Sequence, residues 1–240
     1  MSKLAMPQGK VVVNACFPRS GHRFLRQLLN KVYGQSFNSD TYHPRKGKEG
    51  VGEEHLQRAN YIKSHDFELA GTAMLEQLHG GKREFLVQLR HPLMAISSYY
   101  EFALKHNHVA RNSQRSWDDF LVSRLEYWKQ FASTWWLNKA LPESQYCLVN
   151  YESLTHNTTS ELERVVSFIS GEESVAEINL AKVTDSAPFL QYNNDTQSKK
   201  ASVRTPEQFQ YFDHATFAEI ENKLARDYLV PLGIPLLFEE

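Results

Sequence analysis

Four short apolar runs, Val11–Cys16, 61–63, 85–89 and Tyr146–Asn150, are interleaved with stretches at 24–32, 93–105, 117–141, 160–169 and 217–229 whose apolar residues recur at three- and four-residue spacing. Runs this short and this apolar read as buried strands, and the others as helices with one face inward. A chain that alternates the two predicts an α/β fold, a central parallel sheet flanked by helices. With 240 residues, of which 41% are hydrophobic, one core suffices, so a single domain over 1–240 is expected. Ser116-Trp117-Asp118-Asp119 has the form of an N-terminal cap for the aromatic helix that follows, and Pro142 is expected to close it. Two polar segments, 35–60 and 191–208, carry no clear element; loops of this length often close over a ligand at the strand ends.

The first strand runs into Phe17-Pro18-Arg19-Ser20-Gly21-His22-Arg23-Phe24 and then a helical pattern. A strand, a tight loop and a helix start aim backbone N–H groups and the positive end of a helix dipole at one spot, and arginines add formal charge there. The spot suits a phosphate or a sulfate. It is P-loop-like in layout only, because the nucleotide-kinase signature Gly-x-x-x-x-Gly-Lys-Ser/Thr is absent. Three more polar segments follow predicted strands: Ile62-Lys63-Ser64-His65-Asp66, Leu89-Arg90-His91-Pro92 leading to Ser97-Ser98-Tyr99-Tyr100, and Val149-Asn150-Tyr151-Glu152.

Taken in order, these segments resemble the sulfotransferases that use 3′-phosphoadenosine 5′-phosphosulfate. The opening loop is similar to that family's Pro-Lys/Arg-Ser-Gly-x-x-Trp loop for the 5′-phosphosulfate, 62–65 to its Lys-Ser/Thr-His segment, Arg90 with Ser98 to its 3′-phosphate site, and Tyr151-Glu152 to its Tyr-Glu-Asp element. Arg19 stands where one branch of the family has Lys, His22 and Arg23 replace a common pair of threonines, and Phe24 replaces Trp. The family's C-terminal Arg-Lys-Gly element has only Lys199, Lys200 and Arg204 as candidates. The resemblance implies the nucleotide as sulfuryl donor, bound by Arg19, Ser20, Gly21, His22, Arg23, Phe24, Arg90, Ser98, Tyr151 and those C-terminal cations.

The chemistry of the residues runs parallel to this. A sulfuryl group leaving a phosphate puts negative charge on peripheral and bridging oxygens, which Arg19 and Lys63 are suited to meet. An acceptor hydroxyl or amine must lose a proton, and histidine titrates near neutrality, which marks His65 as the general base. Arg90 offers a planar fork to a phosphate and Ser98 a hydroxyl; Phe24 and Tyr151 are candidates to flank the adenine. The scheme calls for no metal.

Net charge is −1, so no global field draws the protein to nucleic acid or acidic membranes. No run approaches the ~18 apolar residues of a membrane span and no leader is evident, which makes the cytoplasm the expected location. Cys16 and Cys147 lie in apolar runs, as buried thiols do. The four tryptophans recur at near-helical spacing and read as core, with Trp117 also a candidate for an acceptor pocket. Arg45-Lys46-Gly47-Lys48 favours an acidic or carbohydrate acceptor, and the aromatic content a phenol or other small ring system. The C-terminal amphipathic helix serves either the core or a homodimer. Two other readings stay open: a nucleoside-kinase-like phosphoryl transferase, for which Asp66 would have to hold magnesium, and a nucleotide-binding protein without turnover.

Overall fold

Every residue of Val11–Cys16 (β1) is buried. A strand covered on both faces belongs in the middle of a parallel sheet. The computed structural model, which describes residues 3–42, 53–65, 83–109, 112–138, 142–185 and 203–238, places it there. β1 pairs in parallel with Tyr61–Ser64 (β3) on one side and Arg83–Leu89 (β4) on the other. Ser39–Thr41 (β2) and Tyr146–Asn150 (β5) complete a five-stranded parallel sheet of order β2-β3-β1-β4-β5.

Alternate residues of β1 feed two cores. Val11, Val13 and Ala15 join Leu93 and Ile96 of Pro92–Lys105 (α3) and Trp128 and Phe131 of Gln114–Ala132 (α4). Val12 joins Leu25 and Leu28 of His22–Tyr33 (α1) and Val165 and Ile169 of Thr158–Ser170 (α6). Helices therefore cover both faces, as the alternating pattern requires. The chain leaves β1 towards β3, then crosses to β4 on the other side, so the strand order reverses at β1. The crevice beyond its carboxyl end is where such sheets bind ligands.

Several local expectations are corrected. Residues 35–60 are not wholly irregular: β2 lies there, and so does Glu53–Arg58 (α2). The cap of α4 is Ser113, not Ser116; Ser113 is extended and its hydroxyl accepts from the Ser116 N–H at 3.2 Å. Pro142 does not end that helix, which loosens into a π turn at Ser133–Leu137 closed by Asn138 N–H to Ser133 O, 2.9 Å. The final helix (α9) starts earlier, at His214–Leu224 under an Asp213 cap, and also relaxes into a π turn, Ala225–Leu229. Trp117 is buried, with its ring stacked against those of Tyr211 and Phe217. Arg45 to Lys48, Asp66, Lys199 and Lys200 lie outside the described residues. Among the described residues no helix is long and apolar enough to cross a membrane.

Candidate active site

The turn after β1 is built by backbone geometry that few residues tolerate. Gly21, the N-cap of α1, has φ 86°, and a Cβ there would lie 2.6 Å from Tyr151 Cδ2. Only glycine fits both demands. Arg19 also adopts a left-handed φ of 70°, a conformation that costs a non-glycine residue about 1 kcal/mol. Two buried polar side chains in otherwise apolar strands hold this turn. Asn14 of β1 donates to Gln88 Oε1 at 3.2 Å, and Gln88 of β4 donates to Ser20 O at 2.8 Å. Sequence reasoning overlooked both, although an Asn and a Gln inside buried strands were the available signal. The Ser20 hydroxyl is buried without a partner and sits beside the first N–H groups of α1. Buried donors in this state are what an incoming anion satisfies.

Arg19 and Arg90 meet across the turn. Arg19 Nε donates to Ser98 Oγ of α3 at 3.1 Å, and its guanidinium lies 5.1 Å from the Phe102 ring centroid. Arg90 Nη1 reaches Arg19 O at 3.4 Å. Its guanidinium lies 4.3 Å from the Tyr151 ring centroid, and Tyr151 in turn packs against Gly21. Arg90 is buried, its Nε has no hydrogen-bond partner, and among the described residues no carboxylate forms an ion pair with Arg19, Lys63 or Arg90. Burial lowers the pKa of all three; the neighbouring Arg90 and Arg23 lower Arg19 further. Cations kept largely out of water with no carboxylate bonded to them raise the affinity of the crevice for an anion.

The backbone at Arg90 is fixed from below. Trp128 Nε1 donates to Arg90 O at 3.1 Å, and the His91 N–H donates to Glu152 Oε1 at 3.0 Å. His91 Nε2 lies 2.9 Å from Glu221 Oε1, with both side chains buried. Glu221 also accepts from the Leu237 and Phe238 N–H groups, so the C-terminal segment is tied to the strand end that carries Arg90.

His65 follows β3 on the other side of β1. Its Nδ1 is 2.6 Å from the Cys16 carbonyl oxygen, an atom that can only accept, so Nδ1 carries the proton and the basic lone pair is on Nε2. Tyr127 donates to His65 O at 2.6 Å, fixing the backbone as well. Cys16 Sγ is 3.5 Å from the same Nδ1, and the His22 ring stands edge-on to that of His65, centroids 5.6 Å apart. Burial first, then Lys63 and His65, push His22 down to about 2, which keeps its imidazole neutral. Burial pushes the Cys16 thiol up to about 12.

The structure thus gathers Arg19, Ser20, Gly21, His22, Lys63, His65, Arg90, Ser98 and Tyr151 at the ends of β1, β3, β4 and β5. Arg23, in the first turn of α1, is exposed. Phe24 is buried in the core beneath α1, with 8% of its surface exposed, the same as Tyr151. Arg204 is engaged elsewhere, by Glu101 at 2.5 and 3.0 Å and by Gln208 O, with its guanidinium 3.8 Å from the Phe209 ring centroid. The Cys16 contact with His65 was not foreseen; nothing in the sequence links a residue of β1 to one that follows β3.

A cationic crevice with a prepared helix start and a histidine at its wall suits an anionic group such as a phosphate or a sulfate. The sulfotransferase domain family matches residues 10–228, and the chain belongs to that family. Among solved structures it is similar to the mouse sulfotransferase SULT7A1 complexed with PAP, at 14% identity and a TM-score of 0.62 over 95% of this chain and 90% of that one. It is also similar to a sulfotransferase from Alicyclobacillus acidocaldarius, at 11% identity and a TM-score of 0.49 over 95% and 97% of the two chains. At such identities the likeness to SULT7A1 is one of fold. No curated protein matches the chain.

Proposed function

We propose that the protein transfers the sulfuryl group of 3′-phosphoadenosine 5′-phosphosulfate to a hydroxyl or amine of a small-molecule or carbohydrate acceptor, with His65 as general base. The observation that carries this reading is the buried Arg90 guanidinium: a fork with no ion pair among the described residues and an orphan Nε, stacked on Tyr151 beside an anion-ready helix start. A nucleotide with phosphates at both 3′ and 5′ ends fits two cationic loci joined by one turn, whereas a nucleoside triphosphate needs only one. The PAP bound to SULT7A1, a protein of the same fold, supports the same donor.

In this mechanism the 5′-phosphosulfate lies on the Ser20–Arg23 backbone and the Ser20 hydroxyl, and Arg90 with Ser98 takes the 3′-phosphate. Phe24 and Tyr151 border the adenine with the small part of each ring that stays exposed. As the S–O bond to the phosphate lengthens, negative charge grows on the bridging and sulfuryl oxygens; Arg19 and Lys63 stabilise it. The acceptor attacks in line, and His65 Nε2 takes its proton while Nδ1–H remains on the Cys16 carbonyl, which stabilises the imidazolium as it forms. Sulfated acceptor and adenosine 3′,5′-bisphosphate (PAP) then leave. Of the three C-terminal cations, Arg204 acts on the 3′-phosphate only at a distance while Glu101 holds it. The work is done by a single 1–240 domain in the cytoplasm.

Calorimetric titration with PAP, with ATP and adenosine 5′-phosphate as controls and no magnesium, tests the donor. Binding of PAP that is lost in Arg90→Ala, with ATP silent, is the expected result. Binding of ATP alone, and only with magnesium, would replace this reading by phosphoryl transfer.

A further inference from the structure

The wall of the crevice also gathers soft ligands. Cys16 ends β1, His22 opens α1 and His65 follows β3; one ligand atom from each lies within 4.8 Å of the other two. Three atoms so spaced leave a point no more than about 2.8 Å from each, so closing them onto a zinc ion at about 2.0–2.3 Å requires shifts well under the width of an atom. One pair is already set. Cys16 Sγ and His65 Nδ1 are 3.5 Å apart, and a thiolate and an imidazole nitrogen on one tetrahedral zinc are also about 3.5 Å apart. No other described group of three such side chains comes this close.

We infer that Cys16, His22 and His65 bind a borderline-soft divalent cation of the zinc class, and that its binding switches the active site off. The donor set is thiolate and two imidazoles, which such ions prefer to the oxygen ligands of magnesium or calcium. Its fourth position opens into the crevice. On binding, the Cys16 S–H bond breaks, the proton leaves to solvent and the S–metal bond forms. His65 gives up its hydrogen bond to Cys16 O for an Nδ1–metal bond, and the Nδ1 proton moves to Nε2. One proton is released per ion, and no oxidation occurs.

The consequence is direct. Nε2 is the atom proposed to deprotonate the acceptor, and once it carries the proton it cannot do so. The switching effect rests on the proposed role of His65; the metal site itself does not.

Cobalt is the probe. Titrating the reduced, metal-free full chain with Co²⁺ is expected to give one equivalent bound, with sulfur-to-cobalt charge transfer in the near ultraviolet and the visible bands of four-coordinate Co²⁺, both erased by Zn²⁺. Calorimetry in buffers of different ionisation enthalpy should report one proton released. Cys16→Ser and, should that variant fold poorly, His22→Gln must lose the bands, while Cys147→Ser keeps them. Six-coordinate spectra without charge transfer, or bands that survive Cys16→Ser, overturn the inference. A parallel PAP titration on the metal-free protein separates the two readings: cobalt bands without PAP binding retain the metal site and sink the donor assignment.

Discussion

His65 and His91 look alike in the sequence and differ in every physical respect in the fold. Each follows a strand end, and each comes within two residues of a cation, Lys63 or Arg90. At the β3 end, His65 Nδ1 rests on a backbone carbonyl, which puts the basic lone pair on Nε2, and the ring stands edge-on to the neutral His22 imidazole. At the β4 end, His91 is wholly buried and its Nε2 is bound to a buried carboxylate that also ties down the C-terminal segment. One ring has a fixed tautomer and is the proposed general base; the other is a fastener. The two strand ends that flank β1 thus differ, with the proposed chemistry at β3 and rigidity beneath Arg90 at β4.

Removing the reactive ring makes the sharpest test. His65→Ala should lower turnover about 10³-fold, within the range of a lost general base, while PAP affinity stays within about threefold. Steady-state kinetics beside PAP calorimetry reads both. Equal collapse of the two would make His65 a fastener as well and erase the contrast.

The fastener should show the opposite profile. Glu221→Ala leaves His91 and two backbone N–H groups unpaired in the core, which should cost about 3 kcal/mol in urea unfolding while each folded molecule keeps its turnover within a few-fold. The acid limb adds a second reading. Burial raises the Glu221 carboxyl's pKa, but hydrogen bonds from His91, Leu237 and Phe238 outweigh it and bring the net value below the usual 4.5. A carboxylate depressed in the folded state contributes stability above its unfolded value and loses it as pH falls through the folded one. Glu221→Gln should therefore be less stable at neutral pH and lose less stability between pH 5 and pH 3. A Glu221 variant that folds as well as the parent yet fails to turn over would place His91 in the chemistry.

Between these two lies Arg90, whose backbone belongs to the rigid side and whose guanidinium belongs to the ligand. Arg90→Lys keeps the charge and loses the fork and the stacking on Tyr151. PAP affinity should fall by about 10–30-fold, some 1.5–2 kcal/mol, with the melting temperature nearly unchanged. A variant that binds PAP like the parent would mean that the phosphate meets a point charge there and that the orphan Nε has no ligand role.

What the sequence could reveal divides along the same line. Four of the five strands and the long helices were legible because burial leaves a short, largely apolar run in a strand and a helical period in a helix buried on one face. β2 escaped because Ser39–Thr41 is a half-buried edge strand of polar residues, paired only to β3. The site loop was legible through Gly21 and the cations around it. Its supports were not: Asn14, Gln88 and Glu221 act across 74, 68 and 130 residues of chain, and local pattern carries no trace of such partners. Nor could spacing bring Cys16 to His65, 49 residues apart, since that depends on β1 pairing with β3.

The smallest effect is expected at Arg204, and it tests where the basic crevice ends. The residue sits close enough to lower the pKa of Arg90, yet Glu101 binds it in a fork and Phe209 lies beneath it. Glu101 in turn helps to hold the charge on Arg19. Both partners are about one-third exposed, so the pair is screened and should contribute no more than about 1 kcal/mol to stability. If Glu101 keeps Arg204 when donor arrives, Arg204→Ala should change PAP affinity by less than about threefold, well under the Arg90→Lys effect. A loss as large as that of Arg90 would mean that the 3′-phosphate draws Arg204 off Glu101. The β4 end would then gain a mobile cation from the C-terminal segment, and rigidity beneath Arg90 would account for only half of how that phosphate is held.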